Sequence, residues 1–508
     1  MKKKLVTLLF VMCGLVIVLA GCGGKEKDVS KKDSSKEKAE TSEATTGASE
    51  TSYTALDKLK DSYDIVIVGS GGAGMSAALE AKEKGLNPVI LEKMPIAGGN
   101  TMKSSSGMNA SETKFQKEQG IEDNNDLFYE ETLAGGHGTN DKELLRYFVD
   151  HSGEAIDWLD SIGIRLNNIT ITGGMKEKRT HRPEDGSAVG QYLVNGLVKN
   201  VQKQEIPLFV NADVTNITEK DGKVNGVEVT FDGKEKKTIK ADAVVVTTGG
   251  FGANMEMISE TNPELKDYVT TNQKGSTGDG IKMIQKLGGV TVDMNEIQIH
   301  PTVQQEKSYL IGEVVRGEGG ILVSSDGQRF VNELDTRDKV SQAINQTADK
   351  YAYLVFDSGV AERAKAVEQY KQQGFVKEGK TIADLAKEIN VPSEELEATM
   401  TKWNDNVNSK SDSDFGRTTG MDHDLTKGPY YAIKIAPGIH YTMGGVKINS
   451  NTEVLTKEGT PIKGLYAAGE LVGGLHGQNR IGGNSVAEII IFGRQAGEQS
   501  AAFVNTIK

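Results

Sequence analysis

The sequence predicts an α/β fold in which helices cover both faces of a largely parallel sheet. Three observations predict it. A G-x-G-x-x-G turn (Gly69, Gly71, Gly74) stands between an apolar run and a helical stretch. A second apolar run ends in an acid, Glu92. Two later segments, AVVVTTGGFGAN (243–254) and GLYAAGEL (464–471), each carry a strand-like run into a glycine turn.

In chain order, the first twenty-two residues read as a targeting segment. Lys2, Lys3 and Lys4 precede an apolar run from Leu5 to Leu19, then Leu19-Ala20-Gly21-Cys22. Charged, apolar and small residues in that order make a secretory signal. Its end resembles a bacterial lipobox, which would lipidate Cys22 and hold the body outside the cytoplasmic membrane. An apolar run shorter than about 20 residues is a poor membrane span. Of the two cysteines, cleavage would remove Cys13 and leave Cys22, so no disulfide, thiol nucleophile or haem-attachment motif is expected. No metal-ligand pattern is read either. The net charge of -12 gives a nucleic-acid partner little support.

Residues 23–59 are expected to form a tether, because 23–52 hold no large apolar residue except Val29 and cannot bury enough surface to fold. Within it, EATTGASET (43–51) resembles the acceptor on which flavin transferases esterify FMN, which would put the flavin on Thr51. A tether of this composition also produces such a string by chance.

Folded sequence is expected from Tyr63. Ile65–Val68 reads as a buried strand, about Ala73–Lys84 as a helix and Pro88–Leu91 as a second strand. The glycines permit a tight turn and let a pyrophosphate approach the helix N-terminus, while Glu92 suits ribose hydroxyls. The returns at 243–254 and 464–471 look like the remote segments that complete FAD sites, and an NAD site would not need them. The chain therefore reads as a doubly wound, Rossmann-like, two-dinucleotide-fold FAD domain.

At GGNTMKSSSGMNAS (98–111) the sequence resembles the flavin-contacting loop of the fumarate reductase/succinate dehydrogenase flavoprotein family. THRPEDGSAVG (180–190), the long block 300–338, HYTMGGV (440–446) and HGQNRIGGN (476–484) continue the resemblance in order. The match is closest to the soluble flavocytochrome c-type branch, without its haem domain. It implies an FAD domain over 60–295, an inserted α+β capping domain over 296–440, and completion of the FAD domain by 441–508. Membrane-bound members attach FAD to a histidine in the first loop. Asn100 stands there, so noncovalent FAD is expected.

The resemblance also implies roles. Gly69, Gly71, Gly72, Ala73, Gly74, Glu92 and Lys93 would meet the nucleotide. Gly99, Asn100, Thr101, Ser106, Gly107 and Met108 would meet the flavin. Thr248, Gly249, Gly250, Glu470, Asn484, Ser485 and Val486 would close the cofactor site. His440 and Arg480 would clamp one substrate carboxylate, and His300 with Gly312 would lie near the other. Arg337 would protonate the substrate, with Glu313 and Arg316 as its relay. An arginine fork suits a carboxylate's two oxygens. Ser485 and Glu488 read as a capping box opening a helix that is apolar on all sides and hence buried.

Two departures matter. At the family's methionine and threonine positions this chain has Leu310 and Gly312. Urocanate reductases place an aspartate there, and none is present. Fumarate is therefore the expected substrate, with another α,β-unsaturated acid of urocanate, acrylate or cinnamate type as alternative. A ketosteroid-type flavin dehydrogenase fits less well, because a neutral ketone needs no carboxylate clamp. A non-catalytic, lipid-anchored binding protein would not need the acid relay.

Overall fold

A computed structural model of the protein describes residues 53–508. The expected signal peptide, the lipidation at Cys22 and the FMN site at Thr51 lie outside the described residues. The N-terminal part supplies β1 (Ser62–Val68), α1 (Gly72–Glu83), β2 (Pro88–Leu91), α2 (Val189–Lys203), β3 (Leu208–Phe209), β4 (Ala212–Lys220), β5 (Lys223–Phe231) and β6 (Glu235–Val246). The middle supplies β7 (Ile297–Gln304), β8 (Tyr309–Leu310), α3 (Val314–Gly317), β9 (Ile321–Val323), α4 (Arg337–Gln346), β10 (Ala352–Asp357), α5 (Ala366–Gln372), β11 (Val376–Gly379) and β12 (Tyr430–Thr442). The chain then closes with β13 (Glu453–Leu455), β14 (Pro461–Ala467) and α6 (Asn484–Ile507).

The first sheet has eight strands in the order β13-β14-β5-β6-β1-β2-β3, with β4 paired to β5. Its centre, β14-β6-β1-β2-β3, is parallel. Parallel strands covered on both faces need continuous apolar sequence, and IVIV (65–68) and PVIL (88–91) are buried throughout. The helix expected at 73–84 spans 72–83, and the second strand has the expected bounds. α1 packs along α6. A Cβ on Gly493 would lie 2.7 Å from the Ala73 carbonyl oxygen, so a bare α-carbon there is what lets the two helices come this close.

A second, antiparallel sheet has the order β8-β7-β12-β10-β9, with β11 also paired to β12. It carries its own core, from Ile311 to Ile435, including Leu354, Phe356, Trp403 and Ile433. The chain passes between the two cores along β7 and β12, which pair side by side. Gln298 and His300 on β7 and His440 on β12 sit at this crossing.

One helix start differs from expectation. α6 begins at Asn484 with Gly483 as its cap, in left-handed conformation (φ 88°), and no side chain caps it. Ser485 is already inside the helix. Glu488 does not reach back to the cap because it accepts hydrogen bonds from the Tyr441 hydroxyl (2.5 Å) and lies 3.0 Å from His476 Nε2. In a dry interior such charge-assisted bonds outweigh an amide partner.

Candidate active site

One elongated cavity, with about 2330 Å³ of open space, runs from the glycine turn after β1 to the crossing strands. At the turn, Gly69 has φ +105°, and a Cβ there would lie 2.5 Å from the Thr247 carbonyl oxygen. Gly74 is tighter, since its Cβ would lie 2.0 Å from the Gly69 carbonyl oxygen. Only glycine allows this turn, and the turn brings the start of α1 to the cavity wall, where Gly72 N donates to Thr101 Oγ1 at 3.0 Å. Gly69, Gly71, Gly72 and Ala73 line it.

Glu92 is oriented rather than loose. Its carboxylate accepts from Ser70 N (2.9 Å), Ser70 Oγ (2.6 Å) and Met94 N (2.8 Å). Lys93, on the same wall, is tied to Asp279 Oδ2 at 2.5 Å and Thr277 Oγ1 at 2.8 Å. Thr248 also lines this wall, but its hydroxyl is turned inwards, 2.2 Å from where a Cβ on Gly280 would stand, and has no hydrogen-bond partner among the described residues. A helix N-terminus and an oriented carboxylate along one cleft fit a dinucleotide.

Further along, Asn100 Nδ2 donates to Asn272 Oδ1 (2.6 Å) and Glu470 Oε2 (3.0 Å). Its amide is therefore occupied in positioning. Burial pushes Glu470 up to about 7, against weaker opposing bonds from Asn100 and Thr442.

The other end of the cavity is cationic, and Arg337, His440 and Arg480 line it. Arg337 opens α4, and its Nε donates to Glu313 Oε1 at 2.7 Å. Its Nη1 donates to Gln298 Oε1 at 3.0 Å. Its Nη2 makes no hydrogen bond to a described residue. Arg480 Nη2 donates to the same Gln298 oxygen at 2.9 Å, while its guanidinium lies 4.4 Å from the Tyr441 ring centre.

Behind this wall stand His300, Gly312, Glu313 and Arg316. Arg316 Nη2 lies 3.9 Å from Glu313, and its Nη1 donates to the Glu333 carbonyl at 2.6 Å. Burial and the neighbouring cations lower Arg316 and Arg480, each to about 10. Burial raises Glu313, but Arg337 and Arg316 outweigh it and hold that carboxyl at about 2. Burial, then the arginines, keep His300 and His440 well below the ordinary range, so both are neutral. His300 Nδ1 accepts from Thr302 N (3.2 Å), which leaves its ring proton on Nε2.

Gly99, Asn100, Thr101, Ser106, Thr248, Gly249, Glu470, Ser485 and Val486 also reach the cavity wall. Gly74, Gly107, Met108, Gly250 and Asn484 do not. The first serves close packing of strand and helix. A Cβ on Gly107 would strike the His181 carbonyl oxygen at 2.4 Å, and one on Gly250 the Thr442 hydroxyl at 2.0 Å. Met108 is wholly buried, and Asn484 accepts from Asn109 Nδ2 at 2.7 Å.

Sequence reading missed Gln298, which joins the two arginines. A signal existed: it lies two positions before His300 in QIHPT, and alternate residues of a strand share a face. It also missed Asp213, Asn272 and Asp279 on the nucleotide wall. Those come from a strand end, a loop and a helix start with no local pattern.

The FAD binding domain family model matches residues 64–486. The chain is 51% identical over 445 residues to the NADH:fumarate oxidoreductase of Klebsiella pneumoniae (strain 342), covering 88% of this chain and 48% of that protein. It thus spans about half of that relative's length. It is 40% identical over 444 residues to the fumarate reductase (cytochrome) of Shewanella frigidimarina, covering 87% of this chain and 78% of that one. The fold is similar to the open conformation of a flavocytochrome c3 fumarate reductase, with TM-score 0.75 and 38% identity over 91% of this chain and 83% of that one.

Proposed function

Because the chain belongs to the FAD-binding flavoprotein family that includes these fumarate reductases, we propose that it reduces fumarate outside the cytoplasmic membrane, held there by a lipid on Cys22. One observation carries the substrate assignment. Three guanidinium groups (Arg316, Arg337, Arg480) surround one carboxylate (Glu313), and both histidines are neutral, so this cluster has a net charge of +2. A dianionic unsaturated acid would balance it. A neutral ketone would leave two cations desolvated and unpaired, which is costly.

FAD, bound noncovalently and reduced, would supply the hydride to one alkene carbon. Arg480 and His440 hold a carboxylate, so charge growing there in the transition state meets fixed donors. Arg337 Nη2, open to the cavity, delivers the proton to the neighbouring carbon. Glu313, bonded at Arg337 Nε, then returns a proton taken through Arg316. Glu313 ionises readily and sits between two arginines, as a relay requires. Hydride plus proton across the double bond gives the saturated acid.

Electrons would enter through an FMN that a flavin transferase attaches to Thr51. Mass analysis of protein co-expressed with such an enzyme should show FMN on the 43–52 peptide, and an unmodified peptide would refute that route. A second reading, reduction of another α,β-unsaturated acid, is favoured by Gly312, where the chain lacks the hydroxyl that the resemblance would place near the second carboxylate. Photoreduced protein mixed with fumarate tests the main reading. Flavin absorbance should recover in the wild type, while Arg337→Ala should keep FAD and lose recovery. Recovery with acrylate or urocanate but not fumarate would overturn it.

A further inference from the structure

We propose that Ser105 is a specificity-determining residue whose hydroxyl donates to the polar end of the substrate not held by His440 and Arg480. The inference rests on the unsaturated-acid reading of the site and extends it to a residue to which nothing above assigns a role. Ser105 lines the same cavity as the arginines, on the wall that also carries Tyr309, Leu310 and Tyr370. Its Oγ lies 3.1 Å from where a Cβ on Gly312 would stand, immediately before Glu313 in sequence. That hydroxyl makes no hydrogen bond to another described residue. The other hydroxyl bordering Gly312, Tyr370 Oη, is held by accepting from Gly312 N at 2.9 Å and keeps its own proton as a second neutral donor on this wall.

The serine is fixed in place. Gly190 N donates to the Ser104 carbonyl (3.0 Å) and Val189 N to the Ser106 carbonyl (3.2 Å). Arg182 Nη2 donates to the Ser105 carbonyl at 3.4 Å. A donor on a pinned backbone loses little freedom on binding, so its bond contributes nearly in full. Neutral donors on this wall, opposed to the cationic pair, suit an acid with a second acceptor group. The bare Gly312 leaves the room in which Ser105 can reach it.

The experiment uses holoenzyme with fumarate and with crotonate, in which a methyl replaces the second carboxylate. Dissociation constants come from the acid-induced change in the oxidised flavin spectrum, and KM and kcat from turnover. A hydrogen bond to a charged group is worth about tenfold in affinity. Ser105→Ala should therefore weaken fumarate about tenfold in both Kd and KM, leave kcat within about threefold, and leave crotonate unchanged. Adding Gly312→Thr to Ser105→Ala puts a hydroxyl back on this wall and should recover most of the loss. The remaining contact is the residue-105 Cβ at 3.3 Å, which a shift of a few tenths of an ångström relieves.

Unchanged fumarate affinity in Ser105→Ala, or an equal loss for crotonate, overturns the assignment. So does a changed flavin spectrum without a changed Kd, which would make Ser105 a flavin contact. Wild-type protein that binds fumarate but does not reduce it sinks the reductase reading alone, because the Kd comparison still stands. No spectral response to fumarate in the wild type overturns both.

Discussion

Replacing Glu313 by glutamine separates two roles that the geometry gives it, charge balance and proton relay. The substitution keeps shape and removes the one negative charge among Arg316, Arg337 and Arg480. The folded protein holds this carboxyl at about 2 against an ordinary 4.5. That difference corresponds to roughly 3 kcal/mol of stability. Glu313 is only 17% exposed, so solvent screening discounts it little. Its folded value is depressed, so the contribution is complete above about pH 4.5 and is lost as pH falls towards 2. The stability gap between wild type and Glu313→Gln should thus be roughly 3 kcal/mol at pH 7 and about half that at pH 3. Urea titrations of the holoenzyme at the two pH values, followed by flavin fluorescence, measure it. Turnover should fall by about 100-fold or more, the usual worth of a positioned proton-transfer group. If the variant loses stability as calculated yet turns over fumarate within threefold of wild type, Glu313 only balances charge and the relay is wrong. A gap that does not shrink in acid would refute the electrostatic account itself.

Gln298→Leu should remove the oxygen shared by Arg337 and Arg480 and raise the KM for fumarate about tenfold with FAD retained. A normal KM would show that the arginines hold themselves apart without it. Arg417→Met should cost about 3–5 kcal/mol, because Glu333 stays buried with one partner fewer and the carbonyls of Arg316 and Gly320 lose a donor. Thermal melting with flavin release as readout checks this, and a change below about 1 kcal/mol would contradict it.

The nucleotide half was legible because its signals are local. The run 65–68, the glycine turn and the run 88–91 each specify a neighbouring element, and β1, α1 and β2 form with at most small shifts of boundary. The misjudged helix start at Ser485 comes from competition that sequence does not display. Glu488 matches a capping box, but its partners Tyr441 and His476 arrive from elsewhere in the chain. Gln298 was legible only by its place two residues before His300, and its role was not, for a related reason. A glutamine in a strand carries no chemical signature until two arginines, 39 and 182 residues away, converge on its oxygen.

That convergence explains why the site lies where two cores meet. Gathering three guanidiniums within one core would bury repelling charge with no compensation, and a desolvated like-charge cluster opposes folding. Here Arg337 and Arg316 belong to the segment carrying the antiparallel sheet, whereas Arg480 comes from the loop before α6. Glu313 and the neutral Gln298 hold the cations in place, and Arg337 and Arg480 border the cavity in which an anion can reach them. The residual +2 is then stored as affinity for an anion. A substrate carrying both negative charges would neutralise the crossing and draw the two sheets' residues together around it. The same charge that destabilises the empty protein would therefore hold the liganded one closed, so a bound dianion should stabilise this crossing more than any part remote from it.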